Sequence, residues 1–102
     1  MKAIINGKLY DTQTAEELAG DSYGCSGDFE RWDETLYRTK SGSYFIAGSG
    51  GPKTKYMRVV GQNEWSGGHA IIPLSEEEAK VWMEQHATAD EYEAAFGPAK
   101  DA

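Results

Sequence analysis

A chain of 102 residues with 39% hydrophobic and 12% aromatic residues can build one modest core, which argues against disorder. Its single cysteine, Cys25, excludes an internal disulfide, and no stretch approaches the ~20 apolar residues of a membrane-spanning helix. We therefore expect one domain over residues 1–102, located in the cytoplasm and without membrane contact.

The charge is segregated along the chain. The net charge is −7, yet residues 35–63 contain no acidic residue. The basic residues of that segment are Arg38, Lys40, Lys53, Lys55 and Arg58. Acidic residues dominate both ends of the chain. Such segregation bears on partners and on encounter rates rather than on the fold.

The N-terminal segment predicts a hairpin followed by a helix. Residues 2–10 favour two short strands, and Asn6-Gly7 is a typical two-residue hairpin turn. Thr14 and Glu17 have the spacing of a capping box. Residues 15–19 favour a helix, and Gly20 supplies its C-terminal stop, so an N-terminal helix is predicted here.

The middle of the chain predicts a second hairpin. Residues 21–28 favour a loop, and residues 29–32 fit either a helical turn or the start of a strand. The β-favouring runs 35–39 and 43–47 are joined by a short loop with a glycine, which is typical of a hairpin. A glycine-rich turn is predicted over residues 48–51.

The following residues predict further strands. Residues 56–60 favour a third strand, and residues 61–68 favour a loop that carries Trp65. Residues 70–72 favour a brief strand that ends at Pro73.

The C-terminal third predicts helices. Ser75 and Glu78 form a capping-box pattern ahead of a helix, and a shorter helix is predicted from Thr88 to Phe96. The expected buried stripe of the first helix is Ala79, Trp82, Met83 and His86. The predicted fold is thus α+β, with a small antiparallel sheet of four to five strands, one N-terminal helix and one or two C-terminal helices.

The glycine-rich segment 48–54 invites comparison with a nucleotide-binding P-loop. The comparison fails because Pro52 and Ala47 stand where that motif requires glycines, and because a strand is expected to follow. Two interpretations remain, a flexible hairpin tip and a backbone nest that binds an anion with Lys53 and Lys55.

Basic and aromatic residues alternate in the middle of the chain. Such a stripe can bind single-stranded nucleic acid through phosphate contacts and base stacking. The candidate residues for an anion or single strand are Arg38, Lys53, Lys55, Tyr56 and Arg58. A net charge of −7 opposes binding of a polyanion, so we keep this as the alternative function.

The acidic C-terminal segment supports the leading hypothesis, a surface that docks on a basic protein. A solvated helix face is the simpler interpretation of the same charges. Trp65 is either a core residue or an interface anchor. The candidate partner-binding residues are Glu77, Glu84, Asp90, Glu91, Glu93 and Trp65.

Catalysis has little support in the sequence. His69 and His86 have no cysteine or carboxylate at metal-ligand spacing, and Cys25 has no cationic neighbour in sequence to activate it. We therefore predict no enzyme activity, no metal and no cofactor. A contact between Cys25 and His69 through space is left open.

Four segments carry a resemblance to known proteins: ETLYRTKSGSYFI from Glu34, GGPKTKY from Gly50, WSGG from Trp65 and IIPLSEEEA from Ile71. The chain resembles a family of short, uncharacterised bacterial and mobile-element proteins, and the resemblance brings no catalytic motif with it. In size and acidity alone it is similar to phage-borne anti-CRISPR and anti-restriction inhibitors. The resemblance implies no site residue.

These observations together predict a non-catalytic acidic module that binds a protein partner with a basic surface. An inhibitor of a nucleic-acid-handling complex would act in this way, by occupying the channel of that complex with carboxylates. Nucleic acid is the alternative ligand, and a homodimer formed through strand edges or opposite charges is a third hypothesis.

Overall fold

A four-stranded antiparallel sheet is the centre of the fold in the computed structural model, which describes residues 1–25, 27–62 and 64–102. The predicted loops 21–28 and 61–68 each contain one residue, Ser26 and Asn63, that lies outside the described residues. The strands and helices are β1 Lys2–Ile5, β2 Lys8–Asp11, β3 Glu16–Tyr23, β4 Trp32–Arg38, β5 Tyr44–Gly50, β6 Arg58–Gly61, β7 Glu64–Ser66, β8 Gly68–Leu74, α1 Glu76–His86 and α2 Ala89–Phe96.

The strand order of the central sheet is β3-β4-β5-β8, and every pairing is antiparallel. At one end, which we call the Gly50 end, Trp32 and Gly68 are the neighbours of Gly50. At the other end, the Arg38 end, Arg38 lies beside Tyr44. The β6–β7 hairpin is an excursion between β5 and β8. The predicted α+β fold is confirmed.

The predicted N-terminal helix is wrong, because residues 16–23 form the edge strand β3. So short a helix is marginal by itself, whereas the eight-residue strand β3 satisfies backbone groups by pairing with β4. In the strand, Ala19 is buried and its neighbour Gly20 is exposed. The capping-box spacing of Thr14 and Glu17 is therefore coincidental.

The N-terminal hairpin is confirmed, with Asn6 and Gly7 both at positive φ as a tight two-residue turn requires. Its strand β2 places Tyr10 edge-on against Phe45, at 5.5 Å between ring centroids. Phe45 in turn stacks on Tyr37 at 5.1 Å. The hairpin thus packs on the face of the sheet opposite the helices.

One predicted turn, one predicted loop and one predicted strand need correction. The glycine-rich turn expected at 48–51 is mostly strand, since β5 continues to Gly50 between two neighbouring strands. Within the predicted loop 61–68, residues 64–66 form β7. The last strand extends through Pro73 to Leu74, because β8 lies at the sheet edge, where proline is tolerated.

Both C-terminal helices begin with the predicted capping boxes, at Ser75 with Glu78 and at Thr88 with Glu91. The helices pack on one face of the sheet: α2 lies at the Arg38 end, where Phe96 contacts Tyr44, and the C-terminal end of α1 reaches Trp32 through His86. Their core contacts join Trp82 and Met83 to Leu36 and other apolar residues of the sheet. Neither helix is long and apolar enough to cross a bilayer.

Glycines let the loop 51–57 pack closely on the Gly50 end of the same face. A side chain on Gly48 would overlap the hydroxyl of Tyr56, and one on Gly68 would lie 2.6 Å from the Tyr56 carbonyl oxygen. Gly50 leaves room for Thr54 in the same way. The missing side chains therefore set the position of Tyr56 over the sheet.

The substitution Gly48→Ala should lower the free energy of unfolding by about 1–3 kcal/mol, since it forces Tyr56 out of its place. Gly27→Ala is the matched control, because a Cβ there meets open space and Gly27 is not at positive φ. Urea unfolding of both variants checks this. Equal stability of the two variants would contradict it.

Candidate functional site

A cleft opens on the helix-bearing face, between the C-terminal end of α1 and the loop 51–57. Its volume is about 560 Å³. The lining residues are Tyr23, Glu30, Trp32, Glu34, Lys53, Thr54, Lys55, Tyr56 and His86. Strands β3 and β4, the loop and α1 each contribute, so the cleft exists only in the folded chain.

Glu34 of β4 is a charged residue buried beneath this cleft, with 5% exposure. Its Oε1 accepts a hydrogen bond from Trp82 Nε1 at 3.0 Å. Its Oε2 accepts one from the Tyr56 hydroxyl at 2.5 Å and lies 2.6 Å from Lys55 Nζ. The carboxylate therefore joins the sheet, the helix α1 and the loop 51–57.

The partners of Glu34 keep it ionised. Burial alone would raise the pKa of Glu34, but hydrogen bonds from Lys55, Tyr56 and Trp82 hold that pKa below its usual value. Burial and the neighbouring Glu34 raise the pKa of Tyr56, so the phenol remains a donor. Both carboxylate oxygens are occupied, and this arrangement is typical of a structural charge.

His86 closes the α1 side of the cleft. Its Nδ1–H donates to Asp21 Oδ2 at 2.9 Å, and this hydrogen bond is the main cause that lowers the pKa of Asp21. The imidazole lies 4.8 Å from the Trp82 ring and 5.5 Å, edge-on, from the Trp32 ring. The histidine predicted on the buried stripe is thus half-buried among aromatic rings.

The structure brings together only part of the predicted anion site. Lys53, Lys55 and Tyr56 line the cleft. Arg38 lies at the opposite end of β4, where it contacts Glu16 at 2.8 Å and donates to the Ala95 carbonyl oxygen at 2.8 Å. Arg58 is exposed on β6 and is not among the lining residues.

The predicted partner-binding acids are all exposed on the two helices. Glu91 closes the capping box of α2, and Glu93 accepts a hydrogen bond from the Ala99 backbone N–H at 3.0 Å. Among the described residues, no side-chain hydrogen bond or ion pair engages the carboxylates of the other three, Glu77, Glu84 and Asp90. Trp65 is exposed on β7, which pairs with β6 in a separate two-stranded sheet, so it does not belong to the acidic helices.

Sequence reasoning missed the residues that build the cleft, namely Tyr23, Trp32 and Glu34. A usable signal was present in the alternation of β4, where Trp32, Glu34 and Leu36 share one face. Leu36 is fully buried, so a carboxylate two residues before it must also face inward. Such a position requires donors, which the sequence alone does not place.

Cys25 and His69 do not add a second site. Cys25 is exposed, and its backbone N–H donates to Asp28 Oδ2 at 2.9 Å. His69 is exposed on β8 beside Ser49. Among residues 1–25, 27–62 and 64–102, no three His, Cys, Asp or Glu side chains are grouped to hold a metal ion.

Comparison with known proteins finds no match: no family model, no curated protein and no solved structure is similar to the chain. The resemblance based on the segments that begin at Glu34, Gly50, Trp65 and Ile71 stays a hypothesis.

Replacing Glu34 with alanine should cost about 2–5 kcal/mol of folding free energy, because the buried Trp82 N–H and Tyr56 O–H lose their acceptor. Lys55→Ala should cost less than about 1 kcal/mol, since the Lys55 side chain is 58% exposed. Urea unfolding gives both values. Similar losses in the two variants would show that Glu34 acts only through its ion pair.

The free energy of folding that the Glu34 charge contributes should decrease as the pH falls. Because its pKa is lowered in the folded state, the stabilisation is complete above its usual pKa of 4.5 and is lost as the pH falls through the folded value. The difference in unfolding free energy between the wild type and Glu34→Gln should therefore shrink between pH 5 and pH 3, as urea titrations would measure. A constant difference over that range would contradict the lowered pKa.

Proposed function

We propose that the protein is a non-catalytic binding module whose acidic helical surface docks on a basic protein surface. The helical surface consists of the outward sides of α1 and α2. The observation that carries this proposal is that these sides display carboxylates while the inner sides are fixed in the core. The partner we infer is a protein whose basic surface otherwise binds nucleic acid.

The outward side of α1 has a defined chemistry. Glu77 and Glu84 are two helical turns apart and therefore share a face, with Val81 between them at 50% exposure. On the opposite side Trp82 and Met83 are buried. Because these buried residues fix the orientation of the helix, Glu77 and Glu84 both face solvent.

The helix α2 extends this surface. Residues 75–102 carry eight acidic and two basic residues. One of the two, Lys80, lies 3.4 Å from Glu76, so its charge is compensated within the helix. Glu91 supports the helix start, and Asp90 beside it adds a further exposed carboxylate. The surface presented to a partner is therefore strongly negative.

A surface of this kind suits competition with nucleic acid. Regularly spaced carboxylates on a rigid scaffold present negative charge to a channel that normally accepts phosphates, and complementary charge raises the rate of encounter. A non-catalytic role is supported by Glu34, the buried carboxylate of the cleft. Both of its oxygens accept hydrogen bonds from within the protein, and it stabilises the fold. We therefore infer inhibition by occupancy rather than by catalysis.

The proposal is tested by removing the charge without changing the fold. The triple variant Glu77→Gln, Glu84→Gln and Asp90→Asn should reduce capture of a basic partner from host lysate roughly tenfold or more at low salt. Glutamine and asparagine avoid placing a cation at a helix N-terminus. The captured protein is identified by mass spectrometry and is then assayed for nucleic-acid binding with and without the module.

The matched control is Glu17→Gln, Glu30→Gln and Glu64→Gln, which changes the net charge equally at exposed positions outside the helices. Capture should persist with this control and after nuclease treatment. Equal loss in both triple variants would mean that only net charge matters. A captured partner that binds nucleic acid undisturbed by the module would contradict inhibition.

A further inference from the structure

The two walls of the cleft differ in chemistry. Strands β3 and β4 contribute the rings of Tyr23 and Trp32, and the loop 51–57 contributes the ammonium groups of Lys53 and Lys55. Rings on one wall and cations on the other form the combination that recognises an aromatic ring carrying an anionic group. This feature is independent of the acidic helical surface.

The aromatic wall is held in place from behind. Trp32 is half-buried, and its ring contacts His86 edge-on at 5.5 Å. His86 is itself fixed by Asp21 at 2.9 Å. Tyr23 lies beside Trp32 in the sheet register and is 56% exposed. A flat ring that enters the cleft therefore meets a rigid platform and one accessible phenol.

The cationic wall is also positioned by the backbone. The backbone N–H of Lys53 donates to the Phe29 carbonyl oxygen at 2.9 Å, which fixes the loop beside the sheet. Lys53 has an exposed side chain and makes no ion pair with the described residues. Lys55 is 58% exposed although it contacts Glu34. An anion in the cleft can therefore contact the Lys53 ammonium, which has no ion pair with the described residues, and the Lys55 ammonium, which it would share with Glu34.

The charges around the cleft limit the size of the ligand. The lining carries Lys53 and Lys55 against Glu30 and Glu34, whereas the whole chain has a net charge of −7. A long strand would bring further phosphates over this negative protein within about 10 Å at 0.1 M salt, and it would be repelled. A single anionic group avoids that cost. A volume of about 560 Å³ lies in the usual range for small-molecule pockets.

We propose that the cleft binds a mononucleotide, with the base stacked on Trp32 and Tyr23 and the phosphate against Lys53 and Lys55. The ligand class is a nucleoside monophosphate rather than an extended strand. The cleft lies between the end of α1 and the loop 51–57, and its lining includes none of the outward carboxylates of the helical surface, so the proposal does not rest on the proposed function.

The test is a titration of the ¹⁵N-labelled full chain with adenosine 5′-monophosphate, followed by the indole N–H resonances. The Trp32 resonance should shift and saturate below about 1 mM, the range that one stack and one ion pair support. The Trp65 resonance should not move, because Trp65 lies outside the cleft. Adenosine and inorganic phosphate, titrated alone, should each bind more weakly than the nucleotide.

Two pairs of variants assign the walls. Trp32→Ala should weaken binding roughly 5- to 150-fold by loss of stacking, and Lys53→Ala should weaken it about tenfold by loss of a charged contact. For Trp32→Ala the binding is followed by the backbone N–H resonances of the loop 51–57. Trp65→Ala and Lys40→Ala remove an exposed indole and an exposed ammonium elsewhere, and they should leave the affinity unchanged. Thermal unfolding of each variant verifies that it is folded.

Three outcomes would overturn the proposal. The first is an unmoved Trp32 resonance at 10 mM nucleotide, roughly tenfold above the expected saturation. The second is equal affinity in folded Lys53→Ala and in Lys40→Ala. The third is a ten-nucleotide thymidine strand that binds more tightly than the mononucleotide, which would make the cleft a strand-binding site instead.

Discussion

The fold depends on one buried carboxylate. Glu34 lies in a central strand, and its three partners come from α1 and from the loop 51–57, so a single charge couples three parts of the chain. Isolating a charge from water is costly unless every lone pair is used, and here both oxygens are used. The carboxylate thereby specifies where the loop closes over the sheet. The cleft is a consequence, since it is the gap left between the loop and the helix that Glu34 holds.

The same interaction changes the meaning of the charge pattern. The segment 35–63 is basic in sequence, but Lys55 contacts Glu34 and Arg38 contacts Glu16, both from outside that segment. Folding therefore compensates part of the basic centre with acids from its flanks. The carboxylates of the helices have little such compensation: within the described part of the chain, Glu76 pairs with Lys80, and none of the other helical carboxylates has an ion pair. The bipolar sequence becomes a molecule with an acidic helical surface and a nearly balanced cleft.

Local signals predicted the local features of this protein. The capping boxes at Ser75 and Thr88 and the Asn6-Gly7 turn involve neighbours in sequence, and all three form as expected. The capping pattern at Thr14 failed because pairing with β4, a non-local interaction, stabilised a strand instead. The cleft could not be predicted from local sequence patterns, because it is also formed by residues that are distant along the chain. Tyr56 and Trp82 lie 22 and 48 residues from Glu34, and no spacing rule connects them.

The pairing of β5 with β8 gives the molecule a natural place to accept new sequence. Gly50 and Gly68 are direct neighbours, so the excursion between them leaves and re-enters the sheet at the same point. The loop that precedes this hairpin is fixed, because its Lys55 and Tyr56 contact Glu34. The β6–β7 hairpin that follows adds no strand to the central sheet. Doubling the length of such a loop costs only about 0.6 kcal/mol of closure entropy. The tip of the β6–β7 hairpin can thus change in sequence and length, or carry a grafted peptide, while the central sheet, the helices and the Glu34 contacts stay unchanged.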